Sequence, residues 1–221
     1  VIAKDGLLNI TANTELNNQG DLAGESTQIK TQTLINQTQG LVTAQTGPLA
    51  ITTHGTLENS GTLSGQNVQL DTDTLTNKND AIVIAEDGLL DLVATTKVTN
   101  QGSLAGNESK IESSTLDNQT SGVIAAQAGK LSLNSSAMTN AGSVSGTDVT
   151  IKSDNVTNKT NAKLIASNGT LDVTTDSLVN QGGIAAQAAI LKTDTFTNDA
   201  SGQIAADNNL SVITRTLDNL G

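Results

Sequence analysis

Cysteine is missing from all 221 residues, which removes disulfides and thiolate metal sites and leaves the redox compartment open. Tryptophan and tyrosine are missing too, and Phe196 is the only phenylalanine, so there are no aromatic side chains to fill a wide core. Pro48 is the sole proline, His54 the sole histidine and Arg215 the sole arginine. Twenty-two acidic residues against eleven basic ones give a net charge of −11, which disfavours nucleic acid and anionic membrane surfaces as partners. No apolar run is long enough to span a bilayer, and no signal-peptide pattern is present, so this segment is not expected to insert into a membrane.

What is present is repetition. An aliphatic residue (once Met138, once Phe196), any residue, then asparagine recurs along the whole chain. The asparagines are Asn18, Asn36, Asn59, Asn77, Asn100, Asn118, Asn140, Asn158, Asn180, Asn198 and Asn219, at intervals of 18, 23, 18, 23, 18, 22, 18, 22, 18 and 21. A period near 20 that alternates short and long is the mark of a solenoid. Each unit also carries pairs of apolar or small residues two apart, as in Ile124/Ala126, Leu131/Leu133 and Met138/Asn140. That is the period of a strand with one buried face, so each unit is expected to hold three very short strands separated by bends. In even units the first bend is shorter and the turn after asparagine longer, as Asn118 to Gly122 shows against Asn100 to Gly102. Two units therefore make a super-repeat of about 40 residues.

Strands this short, with no hairpin signals between them, pair best with their equivalents one repeat away. The expected fold is an all-β, right-handed parallel β-helix of about eleven rungs, residues 1–221 forming one repeat segment. The pattern begins in mid-unit at Val1 and stops just after Asn219, so the segment reads as a fragment of a longer filament. The asparagines share the inward parity of the aliphatic residues two positions before them. A buried amide is costly unless paired, and stacked amides can pair with one another, so these eleven form an expected structural ladder.

The units Leu178-Val179-Asn180-Gln181-Gly182-Gly183-Ile184-Ala185-Ala186 and Leu57-Glu58-Asn59-Ser60-Gly61-Thr62-Leu63-Ser64-Gly65 resemble the filamentous haemagglutinin repeats of Gram-negative bacteria. These belong to exoproteins of two-partner secretion, both adhesins and contact-dependent growth-inhibition toxins, and the resemblance extends over the whole chain. It implies a secreted or surface-anchored filament, an outer-membrane transporter as partner through a region outside this segment, and a target-cell receptor engaged by a distal part. A cysteine-free chain with local contacts fits that route, since it cannot be trapped by oxidation and can fold as it emerges.

Chemistry has few candidates. His54 lacks a second histidine, a cysteine or a carboxylate at ligand spacing, so a solvated bend residue is the expected role. No catalytic constellation and no cofactor is expected. Polysaccharide-active β-helix enzymes gather aspartates with Lys or Arg on one face, whereas the acids here are scattered. Asp5-Gly6, Asp87-Gly88 and Asp71/Asp73 lack the repeats that hold calcium. The Thr-x-Thr pairs Thr31/Thr33, Thr72/Thr74, Thr193/Thr195 and Thr214/Thr216 are too irregular for an ice-binding face and are expected to point outward. Asn-x-Ser/Thr triplets such as Asn107-Glu108-Ser109 are frequent by composition alone. The expected role is a non-enzymatic shaft, the alternative an adhesive surface that itself binds a receptor or glycan. A polysaccharide-active enzyme ranks third.

Overall fold

The structure, a computed structural model, describes Val1–Gly221 without a gap. It contains no helix, and every strand pairing is parallel, each strand lying on its counterpart one repeat away. The chain is a parallel β-helix of eleven rungs. At ~4.8 Å per rung it forms a rod about 50 Å long. The register joins like to like: Leu116 pairs with Val98 below and Met138 above, and Ile111 with Leu92 and Leu133.

The rungs hold fewer and longer strands than the sequence suggests. Most have a four-residue strand such as Val123–Ala126 and one bent strand such as Lys130–Asn140. In the ninth rung a single strand runs from Lys163 to Asn180. The second and third strands merge because pairing to both neighbouring rungs continues around the corner, leaving no unpaired residues to break it. The third rung separates them at His54-Gly55 and the eleventh at Thr214-Arg215. The first, third and fifth rungs carry an extra residue at that corner, between Ala12 and Glu15, Thr53 and Thr56, and Ala94 and Lys97. This corner residue is why the early long intervals are 23 and the later ones 22.

Inward positions form one continuous core of 41 buried aliphatic and small residues. Leu131 is fully buried while its outward neighbour Ser132 is half-buried. Met138 and Phe196, both 2 % exposed, stand in the leucine column as core fillers. The narrow interior needs no aromatics because each rung closes over the next at a strand spacing. Pro48 precedes the strand Leu49–Thr53, where a missing N–H leaves no ladder bond unmade.

Candidate functional site

The asparagines of the L-x-N motif lie in one column along the rod. In every step from Asn18 to Asn219 the Nδ2 of one donates to the Oδ1 of the next, ten bonds of 2.8 to 2.9 Å. All ten point the same way. The second Nδ2 hydrogen bonds backbone carbonyls of the bend: Asn118 donates to Gly122 O at 3.1 Å and Ser143 O at 3.2 Å. Asn59 and Asn140 also accept from the backbone N–H two residues on, at Gly61 and Gly142. Eight of the eleven, Asn36 through Asn180, are 0 % exposed, which the amide tolerates only because its groups are satisfied. Asn219, the last of the column, is exposed.

A second polar column stands at the corner between the second and third inward faces. It runs Ala12, Thr31, Thr53, Thr72, Ala94, Ser113, Ser135, Ser153, Thr175, Thr193 and Thr214. Thr31, Thr72 and Thr193 are therefore buried, contrary to the outward placement expected of the Thr-x-Thr pairs, and Thr214 is half-buried. The reason is that the corner sets two consecutive residues outward, as at Asp73 and Thr74, so parity resumes inward at Leu75. Six of the nine hydroxyls bond the carbonyl two residues on, among them Thr31 to Thr33 O at 3.1 Å and Thr193 to Thr195 O at 2.8 Å. The Thr53 and Thr72 hydroxyls lie 2.6 Å apart. Ser113 breaks the series, because its buried Oγ has no partner and Ala94 beside it has no hydroxyl. A small residue two positions before the third strand, or three where the corner carries an extra residue, was the available signal for this column.

Beyond the asparagines, long and short turns alternate along one edge. The long turn Gln119–Gly122 is followed by the short Ala141-Gly142, then by the long Lys159–Ala162. A Cβ on Gly122 would meet Asn118 Oδ1 at 2.2 Å, so glycine is required there. Ala81 and Ala162 occupy the same column in two long turns and are fully buried. In both, the preceding residue takes the left-handed conformation, Asp80 at φ 62° and Asn161 at φ 67°, which re-routes the turn around the added methyl. At the opposite corner, Asn67 accepts from Leu89 N at 2.9 Å and Asp148 from Thr170 N at 2.8 Å. The fourth rung thus caps the bend of the fifth, and the eighth that of the ninth.

The other candidates stay apart. His54 is exposed at its corner, where its N–H donates to Thr31 O. Asp71 and Asp73 face solvent, and Asp73 accepts from the Thr95 hydroxyl. No three His, Asp or Glu side chains converge as a metal site would require. The five lysine or arginine side chains in ion pairs are all partly exposed, Arg215 to Asp194 at 2.7 Å among them. Lys110 is held above the usual lysine value by its hydrogen bond to Glu112, with the charge of Asp91 adding to it. No helix exists that could cross a membrane. Comparison of the chain with protein-family models, with curated proteins and with solved structures gave no match.

Proposed function

We propose that this segment is the shaft of a secreted, surface-exposed filament of the two-partner kind. It would hold a distal receptor-binding or toxin-delivering region away from a Gram-negative cell. The observation that carries the reading is continuity: one aliphatic core and one unbroken asparagine column run through all eleven rungs, and no loop interrupts either. A rod built this way resists bending, because every rung is bonded to both neighbours along two faces and through the amide column. The haemagglutinin-like repeats support the surface location and an outer-membrane transporter as partner.

The reading is tested by placing the segment between a two-partner secretion domain and a C-terminal epitope in a Gram-negative host with the matching transporter. Antibody binding to intact cells is expected, as is protease-resistant rod material in the medium or on the surface. An epitope that stays in the periplasm, reached only after lysis, would refute it.

A further inference from the structure

The first corner of five odd rungs carries a glycine at the same place: Gly6, Gly47, Gly88, Gly129 and Gly169. In four of them a Cβ would run into a side chain of the even rung beneath, Asn67 at Gly88 and Asp148 at Gly169 among them. Packing therefore fixes glycine at this corner whatever residue comes before it. In the ninth rung that residue is Asn168, and Asn168-Gly169 is the only Asn-Gly step in the chain. Asn168 is exposed, and its side-chain amide bonds no other group of the chain. The ladder to the eighth rung stops at Ala166 and resumes at Leu171, and the ladder to the tenth skips from Ala166 to Thr170. Ser167, Asn168 and Gly169 thus have no strand partner on either side, so the chain can rotate about Asn168 without breaking a pairing. The column asparagines are the opposite case: their amides are bonded, and none is followed by glycine. Asn134, exposed and followed by Ser135, is held by pairing to Glu112 and Lys152.

We infer that Asn168-Gly169 is a site of spontaneous covalent modification, closing to a succinimide that reopens as aspartate or isoaspartate. The inference goes beyond the shaft reading and does not rest on it. The Gly169 nitrogen attacks Asn168 Cγ, the new N–C bond replaces the Cγ–Nδ2 bond, and ammonia leaves with the Gly169 amide proton. Water, the one co-reactant, then opens the ring. Cleavage at Cγ leaves aspartate on the original main chain, and cleavage at the Asn168 main-chain carbonyl leaves isoaspartate. Either product carries a new carboxylate, its proton released to solvent, and nothing is oxidised or reduced. Glycine favours the attack because its nitrogen is unhindered and already sits within reach of a five-membered ring. The fold accepts aspartate at this place, since Asp87 holds it in the fifth rung above the amide of Asn67. In the ninth rung the product would instead set a second carboxylate at the corner of Asp148. Isoaspartate lengthens the main chain by a methylene where Gly169 is already packed on Asp148, so the bond from Thr170 N to Asp148 should be lost.

The test incubates the whole 221-residue chain, folded and separately unfolded in urea, at mildly alkaline pH and physiological temperature. Ammonia release, fragmentation mass spectrometry and methyl labelling by an isoaspartyl methyltransferase follow the reaction. Expected is a gain of about one dalton located at residue 168, as aspartate, isoaspartate or both. The folded chain should convert within about tenfold of the rate in urea, because the corner is free of the ladder. Asn168→Gln, whose amide would need a six-membered ring, should slow ammonia release by about tenfold or more. Asn134→Gln, at an exposed but ladder-paired position, should change it less than about twofold. The inference is overturned if the folded chain converts more than about tenfold slower than the chain in urea, or if neither converts. Conversion of another asparagine before Asn168, or ammonia release from Asn168→Gln as fast as from the unsubstituted chain, overturns it as well.

Discussion

Replacing Asn118 with aspartate changes one atom type in the middle of the amide column and leaves the shape intact. Asn118 is fully buried, accepts from Asn100 and donates to Asn140 Oδ1, Gly122 O and Ser143 O. A protonated aspartic acid keeps the acceptor and one donor, so it can still bond Asn140. It loses the donor to the bend carbonyls, a cost of about 1–2 kcal/mol. An ionised carboxylate instead faces three acceptor oxygens and no water, so burial raises its folded-state pKa well above the unfolded value of about 3.9. For an acid whose folded pKa is raised, the unfolded state releases its proton first, and the variant loses stability as pH climbs. The loss is about 1.4 kcal/mol per pH unit, reaching about 5 kcal/mol at pH 7.5 if the folded group is still protonated there. Urea midpoints of Asn118→Asp and the unsubstituted chain, compared at pH 3.5 and pH 7.5, isolate this from the titration of the other acids. Asn219→Asp, at an exposed position, should show a pH-independent change below about 0.5 kcal/mol. Equal losses for Asn118→Asp at both pH values would refute the buried, acceptor-lined environment.

Three further outcomes are expected. Leu131→Asp should cost about 3 kcal/mol or more and Ser132→Asp under about 0.5 kcal/mol, so equal thermal midpoints would contradict the inward register. Ser113→Ala removes a hydroxyl that bonds nothing and should be neutral or stabilising by up to about 1 kcal/mol in denaturant titrations, whereas Thr72→Val, which strips bonds to Gly55 O and Thr74 O, should destabilise by about 1–2 kcal/mol. Asn161→Gly should leave the melting temperature unchanged or raised, while Asn161→Val, forced into the left-handed region, should cost about 1–2 kcal/mol; the reverse order would refute the turn geometry beside Ala162.

Much of the architecture was legible because the motif repeats where a physical demand repeats. Leucine two positions before asparagine marks an inward pair, and eleven copies at strand parity leave little but a stacked rod. The Thr31 to Thr214 column was harder to read. Alanine, serine and threonine share smallness there, not chemistry, and the corner breaks the alternation that would have announced them as inward. Strand lengths were misjudged for a related reason: pairing to two neighbouring rungs holds a bent segment extended where local propensity suggests a break.

The alternation of long and short bends makes length a quantised property of this rod. Asn67 serves Leu89 and Asp148 serves Thr170, so the fifth and ninth rungs are complete only above even ones. Recombination that removed a single repeat would set two long bends against each other with no cap between them. An exchange of two repeats would restore every contact and change the reach by about 9.6 Å. A nascent rung that docked one position out of place would meet the same mismatch, so the alternation also proofreads folding. Descendants of this sequence should therefore lengthen and shorten in steps of about 40 residues, with the asparagine column re-forming across each junction.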